Sequence, residues 1–356
     1  MKVVIAPDSF KGTATAAEAA EALAAGWRSV RPQDRLVLRP MADGGEGTLA
    51  AVAGPAPLHR VPGCTGPDGR PVTGLFALLP DGTAVVELAT ASGLPLMDRP
   101  APLTATTRGT GQTVAAALDA GATRLLIGLG GSASTDGGTG LLTALGLRLL
   151  DHRGLELPDG GGPLASVAAV DRGALRPPPA DGVHLLTDVT NPLLGPTGAA
   201  AVYGPQKGAT PADIAALDHG LTRLAALLGG EPQRPGAGAA GGTAYGLHTL
   251  WSAGITPGAA AVADLLGLDE AVADADLVIT GEGRYDATSH QGKAVGEVLR
   301  RAARTRTAVV AGASDLPVLT LTALAGSSRA ALDAPLHWLA VAGAKLAAGE
   351  AARGGG

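Results

Sequence analysis

The chain has 356 residues and 46% of them are apolar, which is enough for two folded domains with buried cores. Its net charge of −5 and its lack of any basic run argue against a general nucleic-acid-binding protein, because affinity for the phosphate backbone needs clustered Lys and Arg. The single cysteine, Cys64, excludes an internal disulfide and a multi-cysteine metal site, and the chain begins with a strand pattern and not with a signal peptide. We therefore expect a cytoplasmic protein.

The first part of the chain predicts strands and helices in alternation, interrupted by hairpins. A βαβ start implies a parallel sheet, and the short apolar runs between Gly-Pro-Asp-Gly turns that follow it are typical of hairpins in a mixed sheet. In chain order the predicted elements are a strand over 2–6, a helix over 14–27, a strand over 35–41, hairpins over 60–91, a helix over 109–120, a strand over 124–129 and a helix over 139–149.

The second part begins with a loop-rich span over residues 151–180, which is either a linker or a long surface excursion. Residues 236–263 lack Asp, Glu, Lys and Arg, but their glycines, together with Pro257 and His248, favour a buried or cleft-lining segment over a membrane helix. The predicted elements are a strand over 183–186, helices over 213–228 and 259–266, a strand over 275–280, a helix over 293–304, a strand over 307–311 and a helix over 335–348.

Four segments in which glycines alternate with polar residues follow predicted strands. The carboxyl ends of parallel strands deliver polar loops to a cleft, so these four strand ends are candidates to line one crevice. Three of the five lysines, Lys11, Lys207 and Lys293, lie next to glycine in such polar segments. The four segments are residues 6–12 (APDSFKG), 42–48 (ADGGEGT), 128–138 (GLGGSASTDGG) and 280–293, which begins with TGEGRYD and ends with Gly292 and Lys293.

Together with residues 187–193 (TDVTNPL) and 204–208 (GPQKG), these segments resemble the glycerate kinase family of two-domain bacterial kinases, in the family's order. The resemblance runs from Met1 to about Arg300. It implies an α/β protein in which a doubly wound, flavodoxin-like parallel-sheet domain is interrupted by an inserted mixed α/β domain, with the active site in the cleft between them.

We place the flavodoxin-like domain at residues 1–58 and 265–356 and the inserted domain at 59–264. Residues 100–135 are an alternative addition to the first domain.

The segment over residues 128–138 is the best candidate for a phosphate cradle. Adjacent glycines let backbone N–H groups turn toward an anion, and serines add hydroxyl groups. A dinucleotide fingerprint with Asp151 as the ribose carboxylate is a rival interpretation, although the glycines after Asp136 break the helix that such a site requires, and a purely structural turn is a third. The predicted ATP- and phosphate-binding residues are Gly130, Gly131, Ser132, Ser134 and Asp136.

Phosphoryl transfer needs cations, a metal-binding carboxylate and tightly positioned oxygens. Each charged residue also has a plainer interpretation, such as a helix cap for Asp43 and Glu46, an Asx turn for Asp188 and Asn191, a surface position for Lys207 or loop-ordering ion pairs around Glu282. The predicted catalytic residues are Asp188, Lys207, Lys293 and Lys11. The predicted substrate-binding residues are Asp8, Ser9, Asp43, Glu46, Arg284 and Asp286, and the predicted metal ligands are Asp188, Asn191 and Glu282.

These residues and the resemblance predict an enzyme that phosphorylates D-glycerate with ATP and Mg²⁺, with 2-phosphoglycerate as the favoured product. The expected partners are therefore small molecules, with no nucleic acid and no membrane, and the expected state is a monomer or a homodimer. A nicotinamide-dependent hydroxyacid dehydrogenase and a non-catalytic protein that binds sugar acids or nucleotides are the two rival functions.

Overall fold

A computed structural model of the chain describes residues 1–10, 12–54, 56–290 and 293–354. They form two compact units. Unit 1 contains Met1–Asp43, Ala50–Val52 and Pro257–Gly356, and unit 2 contains Gly44–Leu49 and Ala53–Thr256, which includes residues 100–135. The predicted α/β fold class is confirmed, and the domain limits of the sequence analysis stay a prediction.

Strands and helices alternate along much of the chain. The strands are β1 (Lys2–Ile5), β2 (Arg35–Leu38), β3 (Leu58–Thr65), β4 (Pro71–Leu78), β5 (Thr83–Glu87), β6 (Arg124–Gly128), β7 (Arg148–Leu150), β8 (Ala169–Asp171), β9 (Val183–Leu186), β10 (Gly254–Thr256), β11 (Leu277–Tyr285), β12 (Thr307–Ser314) and β13 (Leu319–Thr320). The α-helices are α1 (Ala16–Val30), α2 (Thr48–Ala53), α3 (Ala89–Ser92), α4 (Arg108–Asp119), α5 (Thr139–Ala144), α6 (Ala199–Tyr203), α7 (Pro211–Leu228), α8 (Ala239–Trp251), α9 (Gly258–Leu265), α10 (Leu268–Val272), α11 (Ala294–Arg301), α12 (Leu321–Ala325), α13 (Ser328–Asp333) and α14 (Pro335–Gly354).

Unit 1 is built on a parallel five-stranded sheet in the order β13-β12-β11-β1-β2. This is the flavodoxin-like order. The strand order changes direction between β1 and β11, because β2 lies on one side of β1 while β11, β12 and β13 follow on the other. Ligands of such sheets bind beyond the carboxyl ends of the strands at that reversal. The topology therefore singles out the loops that follow β1 and β11.

Helices α1 and α14 pack tightly against each other in unit 1. The first of them begins with a capping box, since the hydroxyl of Thr15 accepts a hydrogen bond from the N–H of Glu18 while the Glu18 carboxylate accepts one from the N–H of Thr15. A Cβ atom at Gly26 would lie 1.8 Å from the carbonyl oxygen of Ala340. Glycine is thus required inside α1 because the two backbones are in contact.

Unit 2 contains a six-stranded mixed sheet in the order β10-β9-β6-β5-β4-β3. The pairs β3–β4 and β4–β5 are antiparallel, which confirms the predicted hairpins, whereas β5, β6, β9 and β10 run parallel. A separate two-stranded ribbon joins β7 to β8. The large apolar core of unit 2 includes Leu125, Ile127, Leu141 and Leu185.

Two sequence-based predictions of local structure were wrong. The helix predicted over 139–149 ends at Ala144, because Gly146 has a φ of +103° and β7 begins two residues later. The loop predicted to begin at Thr280 is still strand, since β11 runs to Tyr285 and pairs with β12 throughout.

Helix α8 lies in the charge-free segment over 236–263. Among the described residues, no helix combines the length and apolar character that a membrane crossing requires.

Candidate active site

A cavity of about 420 Å³ lies in unit 1 beyond the carboxyl ends of β1, β11 and β12. Its position agrees with the reversal point of the sheet. One wall is apolar and comes from α12, α13 and the start of α14, a contribution that the sequence analysis missed. The charged residues and the serine among the predicted site residues that line it are Asp8, Ser9, Asp43, Glu282, Arg284, Asp286 and Lys293.

Thr288 joins two of the charged residues of this cavity. The carboxylate of Asp286 accepts hydrogen bonds from the backbone N–H of Thr288 at 2.8 Å and from its hydroxyl at 2.6 Å, and Nζ of Lys293 donates to the same hydroxyl oxygen at 3.0 Å. These hydrogen bonds, with the nearby charges of Lys293 and Arg284, lower the pKa of Asp286. Asp286 is therefore held as a carboxylate beside a lysine.

The remaining charged residues of the cavity differ in exposure. Asp8 and Glu282 are buried, and the Asp8 carboxylate accepts the N–H of Ser9 at 2.6 Å. Arg284 is exposed and forms an ion pair with Asp315 at 2.8 Å. An exposed arginine of this kind is available to a bound anion at little cost in desolvation. Lys11 lies outside the described residues, so its role stays a prediction.

Unit 2 has its own cavity, of about 400 Å³, at the carboxyl ends of β6 and β9. Gly130, Gly131, Ser132 and Lys207 are among the residues that line it. Of the described residues that line this cavity, one is a cation, Lys207, and none is a carboxylate. Its chemistry therefore suits an anionic group that accepts hydrogen bonds.

Lys207 is 2% exposed, although lysine is almost never buried without a partner. Its Nζ donates hydrogen bonds to the hydroxyl of Ser132 at 2.9 Å and to the carbonyl oxygen of Ser134 at 2.5 Å. Burial lowers the pKa of Lys207 to about 8, and the charge of Asp136 opposes this decrease. The plainer interpretation of Lys207 as a surface residue is thereby excluded.

Asp136 is fully buried and lies away from the lining of the cavity. Its carboxylate accepts hydrogen bonds from the N–H and hydroxyl of Thr107, at 2.9 and 2.7 Å, and from the N–H groups of Gly138 and Gly140. Burial raises the pKa of Asp136, and these hydrogen bonds oppose the increase. Asp136 thus ties α4 to the start of α5, and phosphate binding by this residue stays a prediction. Ser134 is also buried, and only its carbonyl oxygen contacts Lys207.

The predicted metal ligands are divided between the units, with Glu282 in unit 1 and Asp188 and Asn191 after β9 in unit 2. The side-chain oxygen of Asn191 accepts a hydrogen bond from the Tyr203 hydroxyl at 2.6 Å, and its NH₂ group donates to the Thr197 carbonyl at 2.9 Å. Within the described ranges, no group of three or more His, Cys, Asp and Glu side chains is arranged to hold a metal ion.

The dinucleotide interpretation of residues 128–138 is not favoured. Helix α5 begins only at Thr139, and the preceding Gly137 and Gly138 both have positive φ angles. The carboxylate of Asp151 accepts the N–H groups of Arg153 and Leu155 within its own turn. The fingerprint requires a helix that begins immediately after the glycines and a carboxylate that is available to the ribose. Residues 128–139 do not provide the first, and Asp151 does not provide the second.

The glycine-rich segments of unit 2 are in direct backbone contact. The N–H of Gly130 donates to the carbonyl oxygen of Gly44 at 3.2 Å, and a Cβ atom at Gly130 would lie 2.3 Å from the Cα atom of Gly45. Glu46, in the same loop, is exposed and lines neither cavity. The loop over 44–47 is therefore packed onto the loop that follows β6.

Gly130→Ala is expected to reduce the free energy of unfolding by about 1–3 kcal/mol, because the added methyl group meets backbone and not a movable side chain. Chemical denaturation would measure this. Gly349→Ala is the control, since a Cβ atom there has nothing within 4 Å. An equal effect of both substitutions would contradict the close contact between the loops.

Fold and site together define a two-unit α/β protein of the phosphate-handling class. A family model described as the glycerate kinase family matches residues 3–328. The chain is 46% identical over 305 residues to a glycerate kinase from Bacillus subtilis (strain 168), covering 82% of this chain and 79% of that protein. It is 44% identical over 303 residues to a glycerate 2-kinase from Escherichia coli (strain K12), covering 82% and 80%.

A solved structure shows the same fold. The crystal structure of a candidate glycerate kinase 2 from Salmonella typhimurium LT2 matches with a TM-score of 0.85 and 37% identity, over 99% of this chain and 98% of that one. This chain belongs to the glycerate kinase family, a family of phosphotransferases.

Proposed function

We propose that this chain is an ATP- and Mg²⁺-dependent glycerate kinase that transfers the γ-phosphoryl group of ATP to D-glycerate. The favoured acceptor is the 2-hydroxyl group, so the products are 2-phosphoglycerate and ADP. The observation that carries the proposal is the buried Lys207, which donates a hydrogen bond to Ser132 and lines the same cavity as Gly130 and Gly131, in a chain of this family. We further propose that the enzyme is cytoplasmic and that it is a monomer or a homodimer.

In unit 2, backbone N–H groups around Gly130 and Gly131, with the hydroxyl group of Ser132, are proposed to hold a phosphate group. Lys207 supplies the positive charge. Its attraction to an anion is stronger than in water, because the side chain is shielded from solvent. Preorganised charge of this kind stabilises the negative charge that develops on a transferring phosphoryl group. Asp188, at the end of β9, is proposed to orient or deprotonate the attacking hydroxyl group.

In unit 1, the carboxylates of Asp8, Asp43 and Asp286 are proposed to bind the hydroxyl groups of glycerate, with Ser9 as a further hydrogen-bonding group. Arg284 is proposed to pair with the carboxylate of glycerate, because its planar fork matches that group. Lys293 is proposed to contact an anionic group of the reactants. All six line the cavity beyond β1 and β11.

The residues present fit a magnesium ion. Mg²⁺ is usually held by one or two protein carboxylates, with substrate phosphates and water as its other ligands, so a three-residue protein cluster is not required. Glu282 and Asp43 line the same cavity, and Asp188 is the candidate in unit 2. When bound, the ion would neutralise charge on the phosphate oxygens.

The proposed function is tested by ADP release from ATP and Mg²⁺ with D-glycerate, L-glycerate, lactate or no acceptor. We expect release that depends on D-glycerate, and ³¹P NMR of the product then identifies the phosphorylated hydroxyl group. Folded protein without glycerate-dependent release would refute the kinase, and 3-phosphoglycerate as the product would refute the 2-hydroxyl assignment.

The titration of Lys207 predicts opposite effects of pH on activity and stability. Its pKa is lowered to about 8, so kcat/KM is expected to fall about tenfold per pH unit above 8, as the required cation is lost. Between this pH and the ordinary lysine pKa, the unfolded chain binds more protons than the folded one, so this residue makes stability rise with pH. Rate profiles and denaturation between pH 6.5 and 10 would measure both. A flat rate profile through pH 9 would contradict a catalytic ammonium group.

A further inference from the structure

Glu87 is a buried carboxylate to which the proposed chemistry gives no part. It is the last residue of β5, in the interior of the sheet of unit 2, and it is 6% exposed. The charge is unexpected there, because removing a carboxylate from water is costly unless hydrogen bonds compensate for it. The residues that supply this compensation show what the carboxylate does.

Glu87 accepts hydrogen bonds from backbone N–H groups about forty residues earlier in the chain. The N–H of Gly47 lies 3.2 and 3.1 Å from the two carboxylate oxygens, and the N–H of Leu49 lies 3.0 Å from one of them. These N–H groups stand at the start of α2, where a negative charge is favourable. Hydrogen bonds to an ionised acceptor are about twice as strong as neutral ones, so Glu87 is a firm anchor for this loop.

The anchored loop lies against the ends of two neighbouring strands. Gly44 accepts the N–H of Gly130, just after β6, and a Cβ atom at Gly44 would lie 2.7 Å from the carbonyl oxygen of Leu186, the last residue of β9. The loop thus lies where the glycine-rich segment of the cavity begins, with no space for a side chain between the two backbones. A small displacement of residues 44–47 must therefore move this segment or break the contact.

We infer that Glu87 is a positioning residue, whose buried carboxylate holds residues 44–47, and with them Glu46, against the glycine-rich segment over 128–132. This inference rests on the proposed function, in which the segment over 128–132 holds a phosphate group, and on the predicted substrate-binding role of Glu46. Glu87 acts through the backbone of the loop and lines neither cavity. The residues around Glu87 are typical of an ordinary strand end. The sequence pattern alone therefore did not identify Glu87.

A carboxylate suits this position because the N–H groups of Gly47 and Leu49 are both donors. Glutamine has almost the same shape, but it offers one acceptor oxygen, and its NH₂ group would face an N–H group that it cannot bind. The remaining oxygen is uncharged, so its hydrogen bonds to the loop are weaker, and the contact between two donors favours displacement of the loop toward water. Misplacement of a binding group by about 1 Å is enough to reduce a rate about 100-fold.

The test is Glu87→Gln, assayed per folded molecule. We expect kcat/KM for D-glycerate to fall about 10- to 100-fold, and amide exchange in the peptide over 44–49 to become at least about tenfold faster. Glu87→Asp keeps the charge but is shorter, so we expect a smaller loss in both measurements. If the glutamine variant does not fold, the aspartate variant tests the inference by the same two measurements.

Asp151→Asn is the matched control. Its carboxylate also accepts two backbone N–H groups, from Arg153 and Leu155, but in a turn that lines neither cavity. We expect this variant to lose stability while kcat/KM and exchange over 44–49 stay unchanged. If Glu87 had a merely structural role, Glu87→Gln would also lose stability while kcat/KM and exchange over 44–49 stayed unchanged. That result would overturn the inference.

A double variant separates action through Glu46 from an independent effect. If Glu87 acts through the loop, Glu46→Gln combined with Glu87→Gln should lower kcat/KM little further than the more damaging single variant. Full multiplication of the two losses would overturn the inference. A wild-type protein without kinase activity would refute the proposed function alone, because the exchange measurement still tests whether Glu87 holds the loop.

Discussion

Methionine in place of Lys207 is expected to reduce kcat by about 100-fold or more, while the thermal unfolding midpoint stays unchanged or rises. The loss of activity follows from removal of the one cation among the described residues that line the cavity of unit 2. The effect on stability has the opposite sign because burial of the ammonium group is costly. A decrease of its pKa from 10.5 to about 8 corresponds to about 3 kcal/mol at neutral pH.

Steady-state kinetics and thermal unfolding of the same preparations would check this prediction. Methionine fills nearly the same volume without charge, although the hydrogen bonds to Ser132 and Ser134 are lost. Lys345→Met is the matched control, since Lys345 is exposed on α14 and lines neither of the two candidate site cavities. Activity within threefold of the wild-type value in Lys207→Met would remove Lys207 from the catalytic groups.

Lys293→Ala and Asp188→Ala are each expected to reduce turnover by about 100-fold or more with the fold intact, which is the scale for loss of one group that stabilises a charged transition state. Lys293 is the N-cap residue of α11, and its ammonium group donates a hydrogen bond to the Thr288 hydroxyl. Asp188 is half-buried after β9. Neither side chain belongs to a core cluster, so removal should spare stability.

Kinetics with D-glycerate and ATP varied in turn would show which reactant each residue serves. A rise in KM for one reactant indicates ground-state binding, and an equal fall of kcat and kcat/KM indicates a role in the transition state. Lys345→Ala and Asp181→Ala are the exposed controls of the same residue types. Unchanged kinetics in both Lys293→Ala and Asp188→Ala would refute the assignment of these two residues.

Local sequence signals predicted much of the architecture. The apolar run before Pro7 and the helical spacing of Ala, Glu and Leu over 14–27 predict β1 and α1, because both depend on neighbours within a few residues. The glycine-rich polar segments also contain most of the charged groups that line the cavity of unit 1, together with Lys207 and Ser132 in unit 2.

Long-range contacts decided the remaining features. The Thr280–Tyr285 segment is a strand because β12 supplies hydrogen-bond partners, although its glycines and charges are typical of a loop. The carboxylate of buried Asp136 accepts a hydrogen bond from Thr107, and the side-chain oxygen of Asn191 accepts one from Tyr203. None of these partners is marked by the residues next to it in the chain.

The sequence by itself determined the fold class, the family and the residue types available for phosphate chemistry, because periodicity, capping and glycine-rich strand ends act over short distances. Only the tertiary structure decided that Lys207 is buried with a lowered pKa, and that Glu87 is joined to the N–H groups of Gly47 and Leu49. Burial and hydrogen bonding between distant residues depend on how strands are ordered in the sheet. That order is a property of the folded chain as a whole.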